Sequence, residues 1–328
     1  MMPGKRGKTM RLLATLLFAL ALGPAQAQEF PVKNVRLIAP AAPGGNPDVL
    51  GRMLAVRLSE VFGRPFVVEN VPGAGGVVAA ELLAHAAPDG HVLLMGDSGN
   101  LAINPVLQPK LGYSPLRDFA FITALAALPT ILVAPPSLPA NSLAEFVALA
   151  KAKPGALSYG SAGLGSIHHL TMAVFASRAG IEMLHVPYKG GSAMVAAVLA
   201  GEVQAGWSGI PNVLPHIRSG RLKALAISTP RRSASIPEVP TAAGQGFPGF
   251  DIATVIGLQA RAGTPPEVIA RLQSAVAKIV REPEFAARMT ALGMEPMEDG
   301  TENYVRFVKE DMERYAAAVK AAGIRVDQ

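Results

Sequence analysis

Short apolar runs alternate with stretches of helical period along most of the chain. Val35-Arg36-Leu37-Ile38-Ala39 and Phe66-Val67-Val68-Glu69-Asn70 read as strands, rich in β-branched residues and bounded by Pro, Gly and Asn. Between them Val49, Leu50, Met53, Leu54, Leu58, Val61 and Phe62 recur at three- and four-residue spacing, which predicts an amphipathic helix. Asn46, Pro47 and Asp48 suit its N-cap, first position and first turn. Gly73-Ala74-Gly75-Gly76 opens a second helix to about Ala87, Pro88-Asp89-Gly90 turns the chain, and Val92-Leu93-Leu94-Met95 is a third strand. This strand–helix alternation favours a mainly parallel sheet with helices on both faces.

The theme repeats downstream. Strands are expected at 130–134, 157–160, 183–188, 204–207 and 222–228, with helices after Ser142, Ser166 and Ser192. Ser142 with Glu145 has the spacing of a capping box, and so does Thr264 with Glu267. Residues 230–240 read as irregular chain and 252–259 as one more strand. Val268, Ile269, Leu272, Val276, Ile279 and Val280 mark a helix face, and a last helix runs from about Glu302 to Ala322, ending at Gly323. No repeat of 20–50 residues is evident, which argues against a solenoid.

Length suggests two domains, since 328 residues exceed one typical core. With no cysteine there is no disulfide, thiolate metal site or thiol nucleophile. Lys5, Arg6, Lys8 and Arg11 supply four of the six net positive charges, leaving +2 for the rest and no bulk-charge case for nucleic acid. They precede a short apolar run, residues 12–22, and Ala25-Gln26-Ala27, the pattern of a secretory signal cleaved after Ala27. The run is about half the length a spanning helix needs. The mature chain is therefore expected to be exported and soluble.

Four glycine-rich loops fall where strands should end and helices begin: residues 43–48, 73–76, 160–166 and 189–192. Ligands of open α/β sheets bind at such ends. Free N–H groups at helix N-termini favour anions, so a carboxylate is as plausible there as a phosphate. Catalytic motifs are wanting. Ser161 follows Tyr159 where a nucleophile elbow needs Gly two residues before, and there is no Walker A loop or H-E-x-x-H. Gly244-Gln245-Gly246-Phe247-Pro248-Gly249 fits a dinucleotide fingerprint only as text, because it contains proline and follows no strand. His168 and His169 are neighbours, about 100° apart on a helix, so no metal site is expected and His169 reads as lining the helix start. Lys189 reads as a rim lysine, Trp207 as either core or cleft wall, and Asp48 as either a pocket residue or a partner of the helix dipole.

These loops, in this order, resemble the receptors of the tripartite tricarboxylate transporters, the Bug family. The likeness is carried by Pro43-Gly44-Gly45 with Asp48 and Arg52, by Val67 to Asn70 with Pro72 to Gly76, and by Pro88-Asp89-Gly90. It continues in Tyr159-Gly160-Ser161 with Gly163, Gly165-Ser166 and His169-Leu170, in Val186 to Gly190, and in Gly263-Thr264-Pro265. The resemblance implies a periplasmic location and a type II periplasmic-binding-protein fold, with two Rossmann-like α/β domains and a ligand cleft between them. It divides the mature chain into residues 28–125 with 250–328, and 126–249. It implies ligand contacts at Ala41, Ala42, Gly44, Gly45 and Asp48, at Ser98, Gly99 and Asn100 in the loop after the third strand, at Ser161, Ala162, Gly163, Gly165, Ser166 and His169, at Tyr188, Lys189 and Gly190, and at Trp207. Ala41 stands where an aromatic is common, Asn46-Pro47 replaces a small hydroxyl pair, Val71 a frequent arginine and Ala173 a frequent glutamate.

The expected function is capture of a small carboxylate, whether dicarboxylate, tricarboxylate, amino acid or aromatic acid, and its delivery to a two-component inner-membrane permease, with no cofactor, metal or catalysis. The rivals are a carboxylate-sensing receptor for signalling and an exported α/β enzyme. A bulky residue at Gly163 or Gly165 is expected to abolish binding and leave stability nearly intact.

Overall fold

The computed structural model describes residues 30–108, 110–297 and 300–321. In chain order the elements are β1 (Val35–Ala39), α1 (Asn46–Phe62), β2 (Phe66–Asn70), α2 (Val77–Ala84), β3 (Val92–Asp97), α3 (Asn104–Leu107), α4 (Pro115–Asp118), β4 (Phe119–Ala134), α5 (Leu143–Ala152), β5 (Ser158–Ser161), α6 (Ile167–Ala179), β6 (Leu184–Pro187), α7 (Gly191–Ala200), β7 (Gly206–Gly209), α8 (Ile210–Arg218), β8 (Lys223–Ile227), β9 (Ala253–Arg261), α9 (Pro266–Arg281), α10 (Pro283–Ala291), β10 (Glu295–Pro296) and α11 (Thr301–Ala321). Residues 1–32 form a separate unit from 33–328, and only 30–32 of it are described, so the expected signal segment lies outside the described residues. Among the described residues no helix is long and apolar enough to cross a membrane.

Helix periodicity does what the sequence asks of it. In α1, Leu50, Leu54 and Leu58 are buried at four-residue spacing, and Gly63 closes the helix in the left-handed region at φ 63°, its N–H reaching Ser59 O. In α9, Val268, Leu272, Val276 and Ile279 form the buried stripe. Ser142 caps α5 by accepting the Glu145 N–H, and Glu145 reaches back to the Asn141 N–H. The second expected box does not form: Thr264 Oγ1 turns back to Arg261 O, and Pro265 is the N-cap. Asn46 lies inside α1 and Gly45 is its N-cap, so Asn46 is free to face outward from the helix start.

In the first lobe, β2, β1 and β3 pair in parallel, as βαβ connections require, and β3 then pairs antiparallel with β9. The 16-residue β4 joins the lobes. Its residues 119–129 pair with β9, and residues 130–134 pair with β7 and β8. The sequence marked only 130–134, because 119–129 is apolar except for Thr123, ends in Pro129 and lacks the alternation that signals a strand. In the second lobe β5 and β6 are parallel, and Gly160 N–H to Ala205 O ties β5 to the chain entering β7.

Each lobe has its own core. Ile38, Leu94, Phe121, Val255 and Tyr304 fill the first; Phe146, Phe175, Trp207 and Phe250 fill one side of the second, and Ile131, Met194, Val198 and Val213 the other. Helix α11 serves both, since Tyr304 enters the first core and Tyr315 the second. Gly257 has a packing reason: a Cβ there would stand 2.4 Å from the Tyr304 ring.

Between those tyrosines, Asp311 is 1% exposed. It accepts the Ser98 hydroxyl at 3.2 Å and lies 3.3 Å from Arg314, yet burial pushes its pKa up to about 7. The folded state therefore holds a proton that the unfolded chain releases near 3.8. Stability contributed here is present at low pH and is lost as pH rises towards 7. Thermal denaturation of Asp311→Asn beside the parent should show the variant gaining a few degrees relative to the parent between about pH 4 and 7, with no further change above.

Candidate functional site

Four helices direct their N-termini at one cavity of about 880 Å³. The N-caps of α1, α6, α7 and α8 are Gly45, Ser166, Gly190 and Gly209, and all four line it. Only Ser166 supplies a side-chain cap, to the His169 N–H. The three glycine caps leave first-turn N–H donors to whatever occupies the cavity. Its floor comes from the crossing strands: Leu128 and Thr130 of β4, Thr254 and Ile256 of β9, each pair at the two-residue spacing of one sheet face.

Of the expected site residues, Ala41, Ala42, Gly44, Gly45, Gly99, Ala162, Gly163, Gly165, Ser166, Lys189 and Gly190 line this cavity. Gly163 and Gly165 sit at φ 121° and 74°. A side chain there strains the backbone, so the expectation of near-intact stability is corrected: such variants mix occlusion with a cost of about 1–2 kcal/mol.

Seven others are not among the residues that line it. Ser98 turns away from the cavity, accepting the Val255 N–H and donating to Asp311. Asn100 is fully buried, and its amide bonds the backbone and carboxylate of Asp97. Ser161 is fully buried and holds its own turn, with Gly163 N–H to Oγ at 3.1 Å. His169 accepts the Gly165 N–H at Nδ1 and stacks on His185, centroids 4.0 Å apart. Tyr188 packs its ring near Gly160 and points its hydroxyl at Glu202. Trp207 is 0% exposed, against Phe175 and Phe250, which decides for core over cleft wall. Asp48 works through the first loop. It accepts the Gly44 N–H at 2.8 Å and the Asn70 amide at 2.9 Å, and pairs with Arg52.

Burial alone would raise the Asp48 pKa, but those donors outweigh it and hold the group below 3.8. Its contribution is present above that value and fades on acidification through the lowered one. Asp48→Ala should cost about 2 kcal/mol in denaturant unfolding at pH 7. It should also weaken ligand binding roughly tenfold through the loosened 41–45 loop, an effect worth about 1.4 kcal/mol.

Sequence reasoning missed Asn104, Gln108, Thr130, His168, Asn212 and Thr254, all of which line the cavity, and it marked the loops that hold Asn46, Asp97 and Ser192 without singling those residues out. His168, passed over in favour of His169, has its pKa pushed down to about 4 by burial, and its Nδ1 is buried without a partner among the described residues. The available signal for Asp97 was its place directly after the apolar run of the third strand, at the carboxyl end where sheet ligands bind. Ser161 Oγ lies 2.7 Å from His185 Nε2, the spacing of a nucleophile and its base. Burial of the serine and its turn-holding bonds make the pair structural. A smaller cavity of about 270 Å³ lies beside Phe250 and Tyr315. Its arginines are committed, Arg178 to Pro248 O and Arg314 to Asp251 O. No group of three or more acids and histidines able to hold a metal occurs among the described residues.

Two α/β lobes joined by a shared strand, with helix N-termini converging on the gap between them, define a periplasmic binding protein of the type II fold. Solved structures agree. Rpa4515 of R. palustris with adipate is 32% identical, over 90% of this chain and 99% of that one, with a TM-score of 0.86. The periplasmic binding protein BugD is 30% identical over 90% and 99%, TM-score 0.82. MatC of Rhodopseudomonas palustris with bound malate is 32% identical over 88% and 100%, TM-score 0.80. Protein BugT of Bordetella pertussis is 34% identical over 96% of this chain and 98% of its own. Residues 50–324 match the family described as the tripartite tricarboxylate transporter family receptor, and the chain belongs to that family. It is an exported, periplasmic solute-binding receptor and not an enzyme.

Proposed function

We propose that the protein captures a small carboxylate in the 880 Å³ cavity and delivers it to a two-component inner-membrane permease. The observation that carries this reading is the convergence of four helix N-termini, three of them without side-chain caps, on one cavity. Partial positive charge at those ends favours an anion, and glycine lets it approach the backbone. The adipate with Rpa4515 and the malate bound to MatC, each 32% identical to this chain, support the ligand class.

The mechanism follows from the loops' distribution. The 41–45 loop belongs to the first lobe, the 162–166 and 189–192 loops to the second. A ligand bonded by both sets favours the closed arrangement, because only there can both reach it. Closure excludes water and strengthens each bond. A Kd near 1 μM, about −8 kcal/mol, needs only a few charge-assisted bonds. We take the lobes as residues 28–125 with 250–328, and 126–249; the exchange of β4 partners between Pro129 and Thr130 supports that division. The mature chain begins at Gln28 on this reading.

The test is titration calorimetry of the purified mature protein with succinate, malate, adipate, citrate, aspartate, glutamate and benzoate. Micromolar binding of at least one is expected. Absence of binding across the panel would remove the carboxylate reading.

A further inference from the structure

The cavity that should hold an anion contains one carboxylate of its own. Asp97 ends β3 and is the sole acid among the residues lining it. Its Oδ1 is spoken for, accepting the Asn100 N–H at 3.2 Å and the Asn100 amide at 2.9 Å. No side chain donates to Oδ2 among the described residues, and no cation there pairs with the group. Lys189, the only lysine or arginine lining the cavity, comes from the second lobe and is exposed.

Burial holds the Asp97 pKa up at about 6, despite the donors from Asn100 and Gly99. That is the cost of leaving a carboxylate half-solvated without a counter-charge. A ligand can remove this cost or add to it. An ammonium placed on Oδ2 would supply the missing partner. A second carboxylate placed there would meet a like charge in a water-poor site. Three of the four helix N-termini, those of α6, α7 and α8, lie on the second lobe with Lys189, while Asp97 stands on the first lobe's wall, which carries the N-terminus of α1.

Resting on the reading of this cavity as a carboxylate site, we propose that Asp97 selects ligands carrying a cationic nitrogen as well as a carboxylate. The ligand class is thus the amino-carboxylates, with the carboxylate at the second-lobe loops and the ammonium on Asp97 Oδ2. Strict dicarboxylates are disfavoured.

Matched pairs test this. Aspartate against succinate adds only an ammonium, and 6-aminohexanoate against adipate exchanges a carboxylate for one. Calorimetry on the parent protein should show the ammonium-bearing member of at least one pair binding tenfold or more tighter. Asp97→Asn should reverse the order, weakening the amino ligand at least tenfold and strengthening its dicarboxylate partner. Asp97→Ser, which keeps an acceptor for the Asn100 N–H, should do the same if the asparagine variant fails to fold. Tighter binding of the dicarboxylates by the parent would overturn the inference and leave the carboxylate site standing. Binding of neither class by the parent would remove both. An unchanged ratio in a folded variant would also sink it, since a purely structural Asp97 would lower both affinities alike.

Discussion

Gly209→Leu should abolish ligand binding while the protein stays folded. Gly209 is the N-cap of α8 at φ −60°, where any residue fits the backbone. A Cβ there would meet Asn46 Nδ2 at 3.4 Å and Asn212 Nδ2 at 4.0 Å, ordinary contacts with the movable ends of two side chains. Asn46 belongs to the first lobe and Asn212 to the second, and both line the cavity. A leucine therefore occupies ligand space and wedges the gap that must close. At least a thousandfold loss of affinity is expected, about 4 kcal/mol, for whichever carboxylate the parent binds in calorimetry. The melting temperature should move by no more than a few degrees. Retained micromolar binding would show that the ligand does not enter here. Gly163 and Gly165 are poorer probes because their positive φ makes any loss ambiguous.

The second large effect is on stability. Trp207→Ala removes the largest fully buried side chain from a cluster with Phe175, 5.8 Å away edge-on, and Phe250 at 5.5 Å. Such truncations cost about 3–5 kcal/mol through lost burial and the cavity left behind. A fall of roughly 10 °C in Tm follows for a chain of this size. Trp207→Phe should lose much less, because it keeps a ring in place and removes an indole N–H that has no partner among the described residues. Ligand affinity measured well below the transition should be unchanged in both, as Trp207 does not line the cavity. A selective loss of affinity in the phenylalanine variant would return Trp207 to the ligand.

Much of the fold was legible because its signals are local. β1 and β2 have the bounds that their β-branched runs mark, and the buried stripes of α1 and α9 follow the three-and-four spacing. Ser142 caps where the box spacing puts it, because the bond spans three residues and needs nothing else. Misses arise where a distant partner competes. Thr264 gives its hydroxyl to Arg261 O, so the same box spacing produced no cap. Helix α10, a nine-residue element beginning at Pro283, was not foreseen; only Phe285 and Met289 on it are buried, too few to show a period.

The site divides along the same line. Glycine loops before helices are a chain-local pattern, and the amino-acid order alone established that several anion-favouring helix starts exist, in an exported receptor with no nucleophile elbow. Which side chains line the cavity was decided by tertiary pairing. Asp97 and Ser98 are adjacent, yet Asp97 lines the cavity while Ser98 bonds Val255 and Asp311 behind it. β3 ends at Asp97 and Ser98 turns into helical backbone at φ −55°, so where each side chain falls depends on how β3 is seated against β9, where Asp97 stands opposite Ile256. That register is set by strand residues some 160 positions apart in the chain, held by bonds such as Gly96 N–H to Gln259 Oε1, and no window of local sequence contains both partners.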